Sequence, residues 1–333
     1  MTLALLYGVV FCMAALLAEN TQRRNALALV PLFFAGMLVS ISRSTLDTGD
    51  LPVYVEGFAD DAWTFYYVRE APFWYLGRTL TSITGSVQAT FLIADMAIVY
   101  LFSRAFAGRL NVQLVVLLFA FPSILGFTNI YRQLAACTLM MLALKDLRAG
   151  QARGAWLAAL ACTVHVAVVG LCLSLLAAYL MLPGRRRWLL IVAPLLGAGF
   201  LTFQPEITLL DIAGGTESRG DTGPLYIVLG SFVHFICARL LWREKHLRTL
   251  HLGLLIYFIA GAASLPFVPD STGTRVMMIS LYLASFLALV VLGERRSRLR
   301  SAPIYTALLA GLLITPLVIS DSAWHLIFGY VID

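Results

Sequence analysis

Long apolar runs separated by short polar segments extend along almost the whole chain. A run of roughly 20 apolar residues, with about 17–25 tolerated, lets a helix cross a lipid bilayer. The pattern therefore predicts an all-α polytopic integral membrane protein, with a single transmembrane domain over residues 1–333. The candidate spans are about 2–18, 25–42, 86–103, 110–128, 130–146, 188–204, 224–242, 249–267, 276–293 and 304–320.

Residues 154–182 form one apolar run that is too long for one ordinary span and short for two. Cytoplasmic loops of membrane proteins collect Lys and Arg. If this run crosses twice, as two short helices that turn near His165, six basic loops fall on one side of the membrane. We therefore expect about 12 transmembrane segments, including this short split pair, with both termini outside. A single long tilted helix over 154–182 is the alternative.

Composition agrees with a membrane protein. The chain is 60% hydrophobic and 13% charged, whereas a soluble domain is about half apolar and about a quarter charged. The five cysteines all lie in apolar segments without C-x-x-C spacing, which supports neither a metal cluster nor a disulfide framework. At the N-terminus the apolar run precedes Arg23 and Arg24, which is the reverse of a cleaved signal peptide.

The basic residues that this topology places outside are all arginines. They are Arg43, Arg69, Arg78, Arg132, Arg219 and Arg275. A guanidinium presents a planar fork that binds phosphate or carboxylate through two hydrogen bonds. As a set, these residues predict an anion site on the outer face. For any single arginine, pairing with a nearby acid is the alternative, as for Arg69 with Glu70 or Arg219 with Asp221.

Three outer loops are predicted, at about 43–85, 204–224 and 268–275. The first is rich in aromatic and acidic residues, which suits sugar binding because rings stack on C–H faces and carboxylates accept hydroxyl protons. An aromatic belt at the membrane interface is the alternative. Within this loop, residues 70–83 suggest an amphipathic surface helix with Pro72 in its first turn. The glycine-rich second loop suits either a lid or a plain connector.

The segment FTNIYRQLAAC, residues 127–137, places an arginine at the start of the fifth predicted span. An ionisable residue there is costly unless it faces the protein interior or a water-filled cavity, so a functional role is the default interpretation of Arg132. On a helix, Asn129, Arg132, Gln133 and Ala136 share one face. The preceding Pro122 is expected to loosen the end of the fourth span.

Other polar residues interrupt the apolar runs. A lone histidine in such a run is more often structural, but the position of His165 at the predicted break favours function. His234 is similar, with less supporting context. Asp95, in the third predicted span, could pair with an arginine or a polar helix and receives no role. Arg275 is expected at the start of a helix, where free N–H groups and the helix dipole bind anions.

The segment FTNIYRQLAACTLMMLAL, followed some thirty residues later by TVHVAVVGL, resembles EpsG-like, Wzy-type bacterial polysaccharide polymerases. In that family an N-x-x-R-Q-x-x-A helix is followed by a histidine before small apolar residues. Upstream, Asp50 with Tyr54, and Glu70 with Phe73, are similar to the family's D-x-x-x-Y and E-P-x-[FY] patterns, although Ala71 separates the glutamate from the proline. The similarity covers roughly residues 47–175, and Arg275 at the head of a late span also fits.

The resemblance implies a GT-C-like, metal-independent glycosyltransferase of the bacterial inner membrane, with both termini in the periplasm. It implies polymerisation of undecaprenyl-pyrophosphate-linked repeat units at the periplasmic face, for an exopolysaccharide, capsule or O-antigen. Donor and acceptor would both be lipid-linked glycans, and no cofactor, metal or nucleic acid is expected. Flippase and chain-length regulator proteins are candidate partners in the bilayer. A flippase or another transporter of lipid-linked oligosaccharides is the alternative function.

This reading gives roles to individual residues. Arg132 and Arg275 are expected to hold the pyrophosphate, where one stabilising donor contributes about 2.7–4 kcal/mol. Gln133 and Asn129 are expected to position an oxygen. The base that takes the acceptor's proton is His165 or one of Asp47, Asp50 and Glu70, and the sequence leaves this choice open. The expected catalytic residues are Arg132, His165, Asp50 and Glu70, and the further substrate-binding residues are Tyr131, Arg69, Tyr54, Asp47 and Arg219.

Overall fold

The computed structural model describes residues 50–60, 70–106, 112–128, 130–181, 223–267, 270–295 and 301–319. Within these ranges every regular element is an α-helix, as the apolar runs predict. The helices are α1 (Leu51–Ala59), α2 (Ala71–Thr84), α3 (Val87–Ala105), α4 (Val112–Leu118), α5 (Phe121–Thr128), α6 (Tyr131–Arg148), α7 (Arg153–Val164), α8 (Ala167–Met181), α9 (Gly223–Leu241), α10 (Lys245–Ser264), α11 (Asp270–Arg295) and α12 (Ala302–Ile319). The predicted spans at about 2–18, 25–42 and 188–204, and most of the loop at 204–224, lie outside the described residues.

In the described part of the chain, four helices are long and apolar enough to cross a membrane. They are α3, α9, α10 and the portion Gly273–Arg295 of α11. Shorter apolar helices are α7, α8 and most of α12. These helices agree with the predicted multi-pass membrane protein. The number of crossings and the side on which each terminus lies stay predictions.

Two of the predicted apolar runs are interrupted. Helix α7 ends at Val164 and α8 begins at Ala167, and His165 between them is extended, so the break expected near His165 is present. The apolar run predicted as a span at 110–128 is not one continuous helix, because its residues form α4 and α5 with a break just before Pro122. Whether it crosses the membrane once stays a prediction. Proline at position 122 has no N–H to donate. Across this break the hydroxyl of Ser123 donates to the carbonyl of Leu117 at 2.5 Å.

The predicted outer loop at 43–85 contains two helices. Helix α2 confirms the helix expected at 70–83 and has Pro72 in its first turn, where a missing N–H costs nothing. It ends because Gly85 takes a left-handed φ of 67°, a conformation that glycine adopts without a Cβ penalty. The hydroxyl of Ser86 then accepts the N–H of Ala89 at 3.3 Å and caps α3. Helix α1 is not foreseen by the hydropathy pattern.

By its contacts, the chain divides into two compact units. The first comprises residues 1–145, 152–166 and 313–333, and the second comprises 146–151 and 167–312. The single transmembrane domain stays a prediction.

The core of the first unit contains an aromatic cluster, with ring centroids 5.3–6.4 Å apart. Its members come from α1, α2, α3 and α6. They are Tyr54, Phe58, Phe73, Trp74, Phe91 and Tyr131.

The second unit is built around α11, which packs against α9 and α10, while α8 packs against α10. Glycines allow close approach of these helices. A Cβ on Gly230 would lie 2.1 Å from the Phe258 ring, and one on Gly261 would lie 2.7 Å from Val276. Small residues at such crossings are typical of membrane helices, because they let backbones come close together.

Candidate functional site

Three side chains from distant parts of the sequence meet in the first unit. Glu70 immediately precedes α2, Arg132 lies in the first turn of α6, and His165 follows the last residue of α7. Arg132 Nη1 donates to Glu70 Oε2 at 2.5 Å. His165 Nδ1 lies 2.9 Å from Glu70 Oε1, and the N–H of Val166 donates to the same oxygen at 3.1 Å. We call Glu70, Arg132 and His165 the Glu70 cluster.

Each position in the cluster follows from a helix end. The carbonyl of Glu70 accepts the N–H of Phe73 at 3.1 Å, which starts α2 and leaves the glutamate side chain ahead of the helix. Helix α7 ends at Val164, so the N–H of Val166 lies beyond the intrahelical ladder and needs another acceptor. The carboxylate of Glu70 supplies that acceptor and holds His165 at the same time.

The Glu70 carboxylate is fully buried and ionised. Its relative exposure is 0%, and a buried charge needs partners to offset its lost hydration. Burial alone would raise the pKa of Glu70, but the hydrogen bond and charge of His165, the Arg132 guanidinium and the Val166 N–H together lower it from 4.5 to about 2. Glu70 is therefore an anion throughout the physiological pH range, with both carboxylate oxygens engaged.

Two neighbouring aromatic rings lie close to the Arg132 guanidinium. Its central carbon lies 5.5 Å from the centroid of the Tyr54 ring and 5.3 Å from that of Trp74. A cation over an aromatic face is attracted by the negative charge density of the ring. The Tyr54 hydroxyl also lies 3.5 Å from the backbone nitrogen of Arg132. Burial raises the pKa of Tyr54, with Arg132 acting in the opposite direction, so this phenol stays neutral.

The expectation of an exposed aromatic surface or belt is wrong for the rings of Tyr54, Phe58 and Trp74. Their relative exposures are 1%, 4% and 0%. These rings pack on one another edge-on or tilted, an arrangement that removes their apolar faces from solvent. Stacking on a sugar would need an exposure that these three rings do not have. Two of these rings, those of Tyr54 and Trp74, instead contact the Arg132 guanidinium.

The neighbours of Arg132 on α6 are also buried. Gln133 is 5% exposed, and among the described residues its Oε1 has no hydrogen-bond partner. The hydroxyl of Tyr131 donates to Asp95 Oδ1 at 3.0 Å. Asp95 is fully buried in α3, and sequence reasoning gave it no role. The signal that could have found it is an ionisable residue in an apolar run.

The remaining predicted site residues are not joined to the cluster by the contacts above. Asp50 is half-buried before α1, where its carbonyl accepts the N–H of Tyr54 at 3.2 Å. Arg275 is half-buried in α11 of the second unit. The expectation that Arg275 starts a helix is wrong, because α11 begins at Asp270 and the free N–H groups of its first turn precede Arg275. Asp47, Arg69, Asn129 and Arg219 lie outside the described residues.

The second unit contains a different buried polar group. His234 Nδ1 lies 3.1 Å from His251 Nε2, and His234 Nε2 lies 3.2 Å from Ser280 Oγ. The Ser280 hydroxyl donates to the carbonyl of Leu254 at 2.6 Å. These contacts join α9, α10 and α11, as polar side chains between membrane helices commonly do. Within the described ranges, no three His, Cys, Asp or Glu side chains are grouped so that they could hold a metal ion.

Apolar helices of spanning length, together with an ionic cluster at helix ends, define a multi-pass membrane protein with a buried polar site. The chain belongs to the EpsG family, whose sequence model matches residues 26–330. Membership confirms the resemblance seen in FTNIYRQLAAC and makes the protein a polysaccharide-polymerase-like membrane protein. Neither the curated proteins nor the solved structures include a match to this chain.

Proposed function

We propose that this protein is a membrane glycosyltransferase that polymerises oligosaccharide repeat units carried on undecaprenyl pyrophosphate, at the periplasmic face of the inner membrane. The product is an exopolysaccharide, capsule or O-antigen. Membership of the EpsG family supports the general activity. The observation that carries the finer proposal is the Glu70 cluster, which combines a guanidinium suited to phosphate with a histidine held by a carboxylate. A GT-C-like arrangement of about twelve crossings, with periplasmic termini, belongs to the same proposal.

His165 is the base in this proposal. Because the ionised Glu70 accepts from Nδ1, a neutral His165 carries its proton on Nδ1 and a lone pair on Nε2. The His165 side chain is 14% exposed, whereas that of Glu70 is 1% exposed. Of the two, His165 is therefore better placed to meet a substrate hydroxyl, and Glu70 serves to orient it. This division of roles matches the way a carboxylate fixes the tautomer of a catalytic histidine and stabilises its imidazolium form.

Arg132 is the anion-binding residue. A guanidinium carries five N–H donors, so it can bind Glu70 and a phosphate oxygen at the same time. The rings of Tyr54 and Trp74, which pack against each other, both contact the guanidinium and hold it in place before substrate arrives. Gln133 supplies a buried acceptor oxygen one residue further along, which suits a sugar hydroxyl. The role of Arg275 at the pyrophosphate stays a prediction from the sequence.

The proposed reaction needs one nucleophile, one base and one stabilised leaving group. The hydroxyl oxygen of the acceptor glycan attacks the anomeric carbon of the donor sugar and forms the new C–O bond. Its proton passes to His165 Nε2. The bond from the anomeric carbon to the pyrophosphate oxygen breaks, and both electrons leave with undecaprenyl pyrophosphate. Arg132 stabilises the charge that develops on that oxygen, an electrostatic contribution of the oxyanion-hole type.

Complementation in the native host tests this proposal. The gene is deleted and restored as wild type, Arg132→Lys, Arg132→Ala or His165→Ala, with membrane levels matched by immunoblot. Arg243→Ala and His246→Ala are the control variants, because both residues are exposed and lie in the second unit. Wild type and controls should give a long polysaccharide ladder on a gel. The Arg132 and His165 variants should give single repeat units, since Lys supplies charge without the planar fork.

Two results would contradict the proposal in different ways. A full ladder from Arg132→Ala or His165→Ala at matched membrane levels would remove that residue from the catalytic machinery. A deletion strain with unchanged surface polysaccharide would reject polymerisation itself. In that case, loss of transport of lipid-linked oligosaccharides would be the phenotype to examine next.

A further inference from the structure

A buried hydrogen bond joins α3 to the start of α6. The hydroxyl of Tyr131 donates to Asp95 Oδ1 at 3.0 Å. The relative exposures of Tyr131 and Asp95 are 3% and 0%. Helix α3 is long and apolar enough to cross a membrane, where an ionisable side chain is costly and marks a functional region by default. The bond therefore needs an explanation beyond the packing of two apolar helices.

The Tyr131 ring is fixed on several sides. Phe91, one turn before Asp95 on α3, meets it edge-on with centroids 5.5 Å apart. Phe73 and Tyr54 lie on other sides, with centroids at 6.2 and 6.4 Å. Aromatic packing holds the plane of the ring, and Asp95 holds its hydroxyl. Together these contacts fix the position of Tyr131, the first residue of α6, relative to α3.

Arg132 is the next residue along the chain, so the placement of Tyr131 determines where its side chain starts. Tyr54 contacts both residues: its ring packs on Tyr131, and its hydroxyl lies 3.5 Å from the Arg132 backbone nitrogen. From this anchored turn the Arg132 side chain reaches Glu70, which comes from a different helix. A shift of about 1 Å in such a turn can lower a catalytic rate on the order of 100-fold.

We propose that Asp95 is a positioning residue for the Glu70 cluster, acting through Tyr131 to fix the first turn of α6 and so to place Arg132 against Glu70. Asp95 does not touch substrate in this arrangement. The inference rests on the proposed polymerase function, because its main readout is the rate of that reaction. Its geometric part, the bond between Asp95 and Tyr131, is measurable without any activity.

The test compares Asp95→Ala, Asp95→Asn, Tyr131→Phe and the double variant Asp95→Ala/Tyr131→Phe in host membranes. The rate is that of ladder formation from the host's own lipid-linked repeat units, per unit of folded protein. Asp95→Asn keeps an acceptor oxygen for the Tyr131 hydroxyl, whereas Asp95→Ala removes the acceptor and Tyr131→Phe removes the donor. Ser103→Ala is the matched control, since Ser103 is a buried polar residue of the same helix that donates to the carbonyl of Tyr100.

We expect Asp95→Ala and Tyr131→Phe each to lower the rate on the order of 10- to 100-fold, by analogy with partners that orient reactive groups. The double variant should be no slower than the slower single variant, because both changes remove one bond. Asp95→Asn should restore the rate to within about threefold of wild type, and Ser103→Ala should leave it unchanged. A merely structural bond would change the amount of folded protein and leave the rate per folded molecule intact.

Rates within twofold of wild type for Asp95→Ala and Tyr131→Phe would overturn the positioning role. Asp95→Asn as slow as Asp95→Ala would overturn the hydrogen-bond mechanism, since charge and not the acceptor oxygen would then matter. Additive losses in the double variant would show that the two residues act separately. Thermal unfolding of wild type, Asp95→Ala, Tyr131→Phe and the double variant gives a double-mutant cycle for the bond. If the wild-type gene makes no polymer, the proposed function fails while that cycle still reports on the contact.

Discussion

The substitution Glu70→Gln tests the electrostatic basis of the Glu70 cluster most directly. Glutamine has nearly the shape of glutamate but carries one oxygen and one NH2 group. If its oxygen keeps the hydrogen bonds to His165 and Val166, its NH2 group faces Arg132 Nη1. Two N–H donors then face each other and no hydrogen bond forms. The guanidinium then remains buried without a carboxylate. The change should lower both the stability of the first unit and the activity.

The size of the effect can be worked out in two ways. Removing one partner of a buried ion pair costs about 3–5 kcal/mol, because the other charge is left uncompensated. The fall in the pKa of Glu70 from 4.5 to about 2 corresponds to about 3 kcal/mol, at about 1.4 kcal/mol for each pKa unit. Both figures predict a loss of about 3 kcal/mol or more for Glu70→Gln. At about 2–4 °C per kcal/mol, the melting temperature should fall by roughly 6–12 °C.

The assay is thermal unfolding of the purified protein in detergent as a function of pH. A carboxyl whose pKa is lowered on folding stabilises the protein fully above its ordinary pKa, and the contribution disappears as the pH falls toward the folded-state value. The gap between wild type and Glu70→Gln should therefore be constant above about pH 5 and should shrink between about pH 4.5 and 2.

Glu56→Gln is the matched control, because Glu56 is an exposed glutamate on α1 of the same unit. It should change the melting temperature by less than about 1–2 °C, as a surface substitution of about 0.5 kcal/mol or less does. The reasoning is refuted if Glu70→Gln melts with wild type at pH 7. It is also refuted if the gap between the two proteins persists unchanged at pH 3.

Two further predictions concern the rings of Tyr54 and Trp74 next to Arg132, and both are measured as thermal unfolding in the same detergent. A Cβ at Gly57 would lie 2.4 Å from the buried ring of Trp74, so Gly57→Ala should destabilise the protein by about 1–3 kcal/mol. The control is Gly311→Ala, whose added Cβ meets nothing within 4 Å. It should leave stability unchanged or raise it by up to about 1 kcal/mol. Tyr54→Phe keeps the ring over the guanidinium of Arg132 and should cost less than about 1 kcal/mol, whereas Tyr54→Leu removes the aromatic face and should cost about 1–2 kcal/mol more. Equal melting of Gly57→Ala and Gly311→Ala, or of the two Tyr54 variants, would contradict these contacts.

Hydropathy predicts the membrane helices well because an apolar run of spanning length can be recognised from the sequence without knowledge of tertiary contacts. The runs at 86–103, 224–242 and 249–267 correspond to α3, α9 and α10 with shifts of a few residues. Prediction fails where the backbone departs from the apolar pattern. Helix α11 continues into the polar residues before Arg275, since a hydrogen-bond ladder does not stop where hydropathy falls. At 110–128 a local break divides a mostly apolar run just before Pro122, the residue expected to loosen this segment.

For the site, too, the sequence predicts local features better than contacts between distant residues. Arg132 and His165 can each be singled out from the sequence, because each is an unusual residue type for its apolar surroundings. Glu70 lies in a loop rich in acidic residues and is singled out only by the family resemblance. Their pairing cannot be predicted, since Glu70 and Arg132 are 62 positions apart. Local spacing instead suggests a pair between Glu70 and the adjacent Arg69. Composition likewise cannot distinguish an exposed aromatic surface from the packed cluster that contains Tyr54, because the same rings serve both.

The members of the Glu70 cluster all lie at helix ends, and membrane chemistry gives a reason. A break such as the one between α7 and α8 leaves backbone N–H groups without an acceptor, and in an apolar environment each such group is costly. Glu70 accepts the Val166 N–H and the His165 ring with one oxygen, and it binds Arg132 with the other. The same carboxylate therefore stabilises the helix break and orients the proposed base. A substitution that removes this carboxylate should therefore disturb both the fold at 165–166 and the chemistry.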